Sequence, residues 1–281
     1  GGGGGGGKSD YADDVELPGR ESAMGRGSFM RAETVVPSSL RSVLRPHSTE
    51  ITQVAACQSN PDVTVTSSSD TTCKVFNRGS LTATITTPTT QPLTCCDAVD
   101  DLVVTGCVDK SVRVYRAARG GKPKVQLQGH GGKVVDVMFL GGAKAVVSAS
   151  QDRSLKVWDV SRSGTMVSTS KCASSFNCLS VPPTSPTSCV TGHADGGVRV
   201  WDTKTGSLAL DLPGLHSGHV TCVRCHPGDA SVVFSMGKDN VVRAVDLRVC
   251  KAFKSLGHVD FRVGMNWAGF AVSPDGRYAA A

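Results

Sequence analysis

The stretch GHGGKVVDVMFLGGAKAVVSASQDRSLKVWD, residues 129–159, decides the fold of this chain. It opens on Gly129-His130, passes through two alternating apolar runs, turns at Asp152 and closes on Trp158-Asp159. Alternation of apolar and polar residues with a period of two is typical of half-buried strands. Weaker copies of this unit precede and follow it, so the sequence predicts a chain built from β-sheet repeats.

One aspartate in each repeat, here called the turn aspartate, gives the repeat length. The turn aspartates are spaced by 39 to 44 residues and are Asp70, Asp109, Asp152, Asp195 and Asp239. Four residues before each of them is a hydroxyl side chain: Thr66, Thr105, Ser148, Thr191 and Ser235. Six residues after each is a large or apolar side chain: Phe76, Tyr115, Trp158, Trp201 and Val245. Five such units at regular spacing favour one repeat domain over two small ones.

The spacing and the closing Trp-Asp pair resemble WD repeats, whose period is roughly 40 to 45 residues. The predicted fold class is therefore all-β, a WD40 β-propeller with five full repeats and part of a sixth. Because a closed ring pairs its last blade with its first, we expect an incomplete part of a seven-bladed ring, truncated at the C-terminus. The propeller is predicted over 35–281, and residues 1–34 are predicted to be a disordered Gly-rich leader.

The third repeat contains the residues of a buried hydrogen-bond chain. In WD repeats a histidine leads into the blade, so we expect Trp158 to donate to Ser148, Ser148 to His130, and His130 to Asp152. The first and fifth repeats keep this leading histidine as His47 and His216, whereas the second and fourth have none there. A catalytic His/Asp/Ser set is the alternative, but the set recurs once per repeat, which a structural tetrad predicts and a single active site does not. No catalytic residue and no enzyme activity are predicted.

Composition narrows the class of partner and the compartment. The net charge is +6, and lysines and arginines are scattered, so nucleic acid is not an expected partner. Several of the eleven cysteines lie in apolar strand patterns, where a thiol behaves as a small hydrophobe: Cys57, Cys95, Cys178 and Cys222. The sequence shows no signal peptide and no apolar run long enough to cross a bilayer. We expect a cytoplasmic protein.

Two motifs resemble cofactor sites. Residues 2–9 match the phosphate-binding pattern GxxxxGK[ST], but polyglycine satisfies it trivially and no apolar strand precedes it. Cys222, Cys225 and His226 match the haem-attachment pattern CxxCH and also offer zinc ligands, but strand alternation sends the two cysteines to opposite faces. No cofactor and no metal are predicted.

The loops that lead into each blade and the turns that carry the aspartates meet on one face of a propeller. Residues at equivalent offsets on this face are predicted to form a partner-binding rim, here called the rim residues: Glu50, Lys133, Gln151, His219 and Lys238. Their mixed acidic and basic character fits a protein or peptide better than a phosphate backbone. We expect Lys133, His219 and Lys238 to contribute most.

A more specific resemblance lies in the later repeats. The segments are VVSASQDRSLKVWDV (146–160), KCASSFNCLSV (171–181), VTGHADGGVRVWD (190–202), VVRAVDLRVCKAF (241–253) and DFRVGMNWAGFAVSPDGRYAAA (260–281). Together they resemble the C-terminal propeller of the autophagy-related protein 16 family. The stretch from Asp246 through Trp267 to Tyr278 is the most specific part, because the blade core is common to many WD proteins.

This resemblance implies a non-catalytic scaffold that helps to place ubiquitin-like conjugation, a lipidation reaction, at the forming autophagosome membrane. In that family the helix that binds the acceptor protein of the conjugate and the coiled coil that dimerises precede the propeller, and neither pattern is visible in this sequence. The expected partners are proteins or peptides at the rim, with at most peripheral membrane contact. The resemblance also implies the autophagy conjugation complex as a partner, through a binding helix that is not in this chain. The alternative is a generic WD40 adaptor, such as a ubiquitin-ligase substrate receptor or a signalling scaffold.

Overall fold

The structure confirms the predicted all-β propeller class. A computed structural model describes residues 44–119, 121–161, 163–257, 261–265, 268–276 and 278–280. These residues form five four-stranded antiparallel sheets, one two-stranded sheet and a single 3-10 turn at Ala117–Arg119. The predicted leader lies outside the described residues, as does the motif at residues 2–9.

Each four-stranded sheet is an up-and-down meander of consecutive strands. The first contains β1 (Ile51–Ala56), β2 (Val63–Ser68), β3 (Thr72–Asn77) and β4 (Ser80–Thr86). The second contains β5 (Leu93–Val99), β6 (Leu102–Cys107), β7 (Val112–Arg116) and β8 (Val125–Leu127). The third contains β9 (Val134–Leu140), β10 (Ala145–Ser150), β11 (Ser154–Asp159) and β12 (Thr165–Lys171). The fourth contains β13 (Phe176–Ser180), β14 (Ser188–His193), β15 (Val198–Asp202) and β16 (Leu208–Leu212). The fifth contains β17 (Val220–Cys225), β18 (Val232–Gly237), β19 (Val242–Asp246) and β20 (Lys251–Leu256).

The turn between the second and third strands has the same geometry in all five sheets. The residue after the turn aspartate has a φ between 62° and 79°, and these residues are Thr71, Lys110, Arg153, Gly196 and Asn240. In the first four sheets the aspartate supports the turn by accepting an N–H two residues later, as Asp152 does from Ser154 at 2.8 Å. Short Asx side chains make such local hydrogen bonds readily, which explains why the repeat has an aspartate here.

The first strands of the five sheets lie next to one another around a central channel, in the order β1, β5, β9, β13 and β17. Together with residues 268–271 they line a cavity of ≈ 490 Å³. Each sheet therefore presents its innermost strand to the channel and its fourth strand to the outside, as a propeller blade does.

The apolar core lies between sheets and is divided into layers. Each cluster that joins two four-stranded sheets takes side chains from consecutive sheets, as Leu127 of the second and Trp158 of the third do. Leu155 of the third sheet and Trp201 of the fourth share the next such cluster. The fifth sheet packs one face against the fourth sheet and the opposite face against Val263 and Phe270. Stability thus depends on contacts between neighbouring repeats.

A short two-stranded ladder follows the fifth sheet, on either side of the Ser-Pro-Asp-Gly sequence at residues 273–276. The two strands are β21 (Ala271–Val272) and β22 (Ala279–Ala280), and they pair antiparallel. The Ser273 hydroxyl donates to Asp275 Oδ1 at 2.5 Å, and the N–H of Ser273 donates to the carbonyl of Tyr278 at 2.9 Å. These bonds hold the turn between the two strands.

Candidate partner-binding face and the hydrogen-bond chains beneath it

The structure brings the four predicted tetrad residues of the third sheet into one hydrogen-bond chain. Trp158 Nε1 donates to Ser148 Oγ at 2.8 Å, and Ser148 Oγ lies 2.8 Å from His130 Nε2. His130 Nδ1 lies 3.2 Å from Asp152 Oδ2. Because a carboxylate only accepts, Nδ1 carries the proton, and the serine hydroxyl donates to Nε2.

The protonation of this chain follows from its burial. Burial lowers the pKa of His130, so the imidazole stays neutral. Burial raises the pKa of Asp152, but hydrogen bonds from the Ser154 hydroxyl and the Gly131 N–H outweigh it and bring the value to about 2. The chain therefore joins a neutral histidine to an ionised carboxylate, and the histidine is enclosed by the sheet. This arrangement suits a structural role.

We expect the Ser148→Ala variant to lose about 1 to 3 kcal/mol of unfolding free energy, because His130 Nε2 and Trp158 Nε1 are left buried without a partner. Urea denaturation followed by tryptophan fluorescence measures the loss. The matched control is Ser161→Ala, which removes an exposed hydroxyl bonded to Asp159 and should change stability by less than about 0.5 kcal/mol. Equal stability of the two variants would contradict the structural role.

The first and fifth sheets repeat the histidine link without the indole. His47 Nε2 lies 2.8 Å from Thr66 Oγ1, and His47 Nδ1 lies 3.0 Å from Asp70 Oδ2. His216 makes the equivalent contacts to Ser235 and Asp239, both at 2.8 Å. In the first, third and fifth sheets the leading histidine thus connects the loop before the sheet to its central hairpin.

The fourth sheet contains a histidine that the sequence analysis did not assign. His193 lies two residues before Asp195 on β14, and its Nε2 is 2.8 Å from Thr191 Oγ1, which also accepts from Trp201 Nε1 at 2.7 Å. Its ring packs on Phe176 with centroids 4.6 Å apart. Burial, and then the nearby charge of Arg199, lower the pKa of His193 to about 4. The sequence does contain a signal for this residue: the fourth repeat has no leading histidine, but it has a histidine at the end of its second strand.

The second sheet replaces the histidine with an arginine. Arg113 Nη2 donates to Asp109 Oδ2 at 2.7 Å, and its side chain is buried beside Thr105 on the facing strand. Among the described residues, the buried hydroxyls of Thr105 and Tyr115 have no hydrogen-bond partner. The five repeats therefore satisfy the turn aspartate in different ways.

The predicted rim residues divide into two groups. Glu50, Lys133 and Gln151 line one cavity of ≈ 320 Å³ at the channel entrance. His219 and Lys238 lie together on the fifth sheet, where the Lys238 N–H donates to the His219 carbonyl at 2.9 Å, and they do not line that cavity. The same backbone bond links Gln151 to Lys133 at 3.0 Å. The pair Lys133 and Gln151 and the pair His219 and Lys238 thus occupy equivalent positions in their sheets. The charge of Lys238 nevertheless lies outside the cavity that Glu50 and Lys133 line.

Two buried aspartates join neighbouring sheets, and the sequence analysis did not single them out. Asp97 Oδ2 accepts from the Phe139 N–H at 2.8 Å and from Gln58 Nε2 at 2.7 Å. Asp136 Oδ2 accepts from the Leu179 N–H at 2.8 Å. Burial raises the pKa of Asp97 to about 7 and also raises that of Asp136. These carboxyls fasten the innermost strands to one another.

The cysteines of the CxxCH motif point to different layers. Cys222 packs with Phe270 outside the fifth sheet, and Cys225 belongs to the cluster between the fourth and fifth sheets. Within the part of the chain that the structure describes, no three His, Cys, Asp or Glu side chains are grouped to hold a metal ion. In the same part, no helix is long and apolar enough to cross a membrane.

Comparison with known families decides the assignment. The family described as WD domain, G-beta repeat matches residues 38–77, 79–116, 121–159 and 164–202. The chain belongs to the WD40-repeat family. Each matched segment ends on the third strand of one of the first four sheets, and the last three segments also include the fourth strand of the preceding sheet, so the family repeat is offset from the structural blade by one strand. WD40 propellers generally mediate contacts between proteins.

Individual relatives include several kinds of WD40 protein. Protein tipD of Dictyostelium discoideum is 29% identical over 96% of this chain and 43% of its own length. Autophagy-related protein 16 of Arabidopsis thaliana is 36% identical over 57% of this chain and 31% of its own length. The ribosome biogenesis protein WDR12 homolog of Chlamydomonas reinhardtii is 31% identical over 45% of this chain and 30% of its own length. The resemblance to the WD40 region of autophagy-related protein 16 is thus supported, and the chain spans less than half the length of these relatives.

Proposed function

We propose that this WD40 domain is the recruitment platform of an autophagy-related protein 16-like subunit. In this role it binds a protein or peptide through its rim and helps to bring ubiquitin-like conjugation, a lipidation reaction, to the forming autophagosome membrane. The observation that carries the proposal is the 36% identity to Autophagy-related protein 16 of Arabidopsis thaliana. The protein acts without catalysis, in the cytoplasm, and contacts the membrane at most peripherally.

The geometry of the rim supports a protein ligand. Glu50 and Lys133 present opposite charges across a cavity with apolar walls that include Ile51 and Pro92. Such a mixture of charge and apolar surface fits a polypeptide, because specificity comes from complementary charges and affinity from apolar burial. The histidines beneath the rim are hydrogen-bonded within the sheets and do not reach a partner. The rim therefore binds by shape and charge alone.

The triple variant Lys133→Glu, His219→Glu and Lys238→Glu tests the rim. We expect partner binding to weaken by about tenfold or more, because the introduced carboxylates repel the complementary groups of the partner. The variant is placed in the full-length protein, in cells that lack the endogenous copy. The measurements are recruitment to autophagosome precursors and the amount of lipidated ubiquitin-like protein.

The matched control reverses three lysines at the opposite ends of the strands: Lys122, Lys124 and Lys204. These side chains are exposed in loops between the third and fourth strands, and their reversal should leave recruitment unchanged. If the rim variant recruits normally, the rim is not the platform. If it loses a different partner while recruitment to autophagosome precursors persists, the function is that of a generic WD40 adaptor.

A further inference from the structure

The central channel contains a polar cavity that neither the tetrads nor the rim explain. It has a volume of ≈ 490 Å³ and is lined by the innermost strand of every four-stranded sheet. Sites that hold small ligands are commonly 300 to 1,000 Å³. Its polar lining is contributed by Gln53, Thr94, Asp136, Asn177 and Arg224, among others.

Most polar side chains of this cavity already have partners within the protein. The Thr94 hydroxyl donates to the Val134 carbonyl at 2.7 Å, and Asn177 Nδ2 donates to the Val220 carbonyl at 2.9 Å. The carboxylate of Asp136 accepts the N–H of the next sheet. These groups fasten one strand to the next and are not free to bind a ligand.

Arg224 is different. Its Nη1 donates to the carbonyl of Val223 at 2.9 Å, and among the described residues its Nε and Nη2 have no acceptor. By contrast, the three arginines that lie four residues after a turn aspartate, Arg113, Arg199 and Arg243, each contact that aspartate at 2.7 to 2.8 Å. Within the described part of the chain Arg224 forms no ion pair within 4.0 Å, and the Asp136 carboxyl interacts with its charge only from farther away.

An arginine remains charged at any physiological pH, and an unpaired charge in a confined site is costly. The planar fork of guanidinium N–H groups matches the two oxygens of a carboxylate or phosphate. Asp97 and Asp136 line the same end of the channel as Arg224. One guanidinium carries a single positive charge, which balances a monoanion better than a dianion, so the channel favours a carboxylate over a phosphate.

We propose that the channel binds a single carboxylate group through Arg224. The group belongs either to a small free carboxylate or to an acidic side chain of a partner that enters the channel. In both cases the guanidinium fork makes the contact, and the cavity has room for a group of this size. The site is separate from the rim residues.

Titration of the 281-residue chain with ¹³C-labelled acetate and with inorganic phosphate at constant ionic strength tests the proposal. We expect saturable acetate binding, weaker phosphate binding, and a loss of acetate affinity of about tenfold or more in Arg224→Gln. The matched control is Arg78→Gln, which removes an exposed arginine paired with Asp62 and should bind acetate normally. Non-saturable acetate binding, or equal acetate binding by both variants, rules out a small free carboxylate as the ligand. The peptide titration below then decides whether the proposal stands.

A second titration identifies the source of the carboxylate. It compares a glycine-rich peptide containing one glutamate with the same peptide containing glutamine. Preference for the glutamate peptide, lost in Arg224→Gln, assigns the site to a partner side chain even where acetate binds weakly. If neither acetate nor the glutamate peptide binds through Arg224, the proposal fails. The rim variant should retain acetate binding, so this outcome is independent of the proposed recruitment role.

Thermal unfolding keeps the test valid if a variant is destabilised. Because Arg224 has no carboxylate partner in the described structure, Arg224→Gln should unfold at the same or a higher temperature without acetate and should not be stabilised further by it. Arg224→Lys keeps the charge without the fork and should bind acetate more weakly than the unchanged chain. A strongly destabilised Arg224→Gln would show that the arginine is paired within the protein and would overturn the proposal.

Discussion

The Asp97→Asn variant is expected to become progressively more stable than the unchanged protein as the pH rises from about 4 to about 7. Burial raises the pKa of Asp97 from its ordinary value of 3.8 to about 7 in the folded protein. Between these values the folded state holds a proton on Asp97 that the unfolded state has released. The unfolding free energy of the unchanged protein therefore falls with rising pH, by about 1.4 kcal/mol per unit from this group.

Asparagine does not ionise, and its side-chain oxygen can still accept the Phe139 N–H. The difference between the two proteins should therefore grow to about 4 kcal/mol near pH 7 and stay constant above it. Urea denaturation of both proteins at each pH unit from 4 to 8 measures this difference. Burial also lowers the pKa values of His130, His193 and His216, which gives the opposite slope. These histidines are common to both proteins, so their effect cancels.

The control for loss of charge alone is Asp101→Asn, whose carboxylate makes an exposed ion pair with Arg116. Exposed pairs of this kind contribute about 0 to 1 kcal/mol, so a small effect is expected throughout. Parallel pH profiles for the unchanged protein and Asp97→Asn would show that Asp97 is ionised at low pH despite its burial.

The Gly237→Ala variant should lose about 3 kcal/mol or more. A Cβ at this position would lie 2.4 Å from His216 Nδ1, 2.6 Å from His216 Cγ and 2.8 Å from Asp239 Oδ1. The ring is held on both sides by Ser235 and Asp239, so relief of the clash breaks at least one of these bonds. Guanidinium denaturation gives the loss directly.

Gly257→Ala is the matched control for Gly237→Ala, because its nearest neighbour would be the Asn240 carbonyl oxygen at 3.6 Å and its φ is not positive. This control should be within about 0.5 kcal/mol of the unchanged protein or slightly more stable. A loss below about 1 kcal/mol in Gly237→Ala would mean that the His216 ring moves freely, contrary to its close packing.

The repeat pattern predicted the hairpins because each depends on local chemistry. Asp152 supports its own turn, and Ser148 and Trp158 lie on paired strands of one sheet and are joined by a hydrogen bond. Such relations are fixed within a dozen residues and are visible in the sequence. The fold class followed from counting these units.

Relations between sheets were not predictable in the same way. Strand alternation gives the face on which Asp97 or Arg224 lies, but it does not give the backbone N–H or the cavity that the next sheet places opposite. His193 was missed because it reaches the same hydroxyl from the strand instead of from the preceding loop. The rim residues were placed by offset along the chain, whereas their distances across the channel depend on the whole ring.

The layers of apolar side chains between sheets have a consequence for how this protein tolerates change over evolution. Trp158 shares its apolar cluster with the preceding sheet, and Leu155 shares its cluster with the following one. Deletion of a whole repeat would therefore expose apolar side chains on both neighbouring sheets. Insertions at the loops before the outermost strands leave both layers intact. New sequence should therefore accumulate at the outer hairpins, while the number of repeats stays constant.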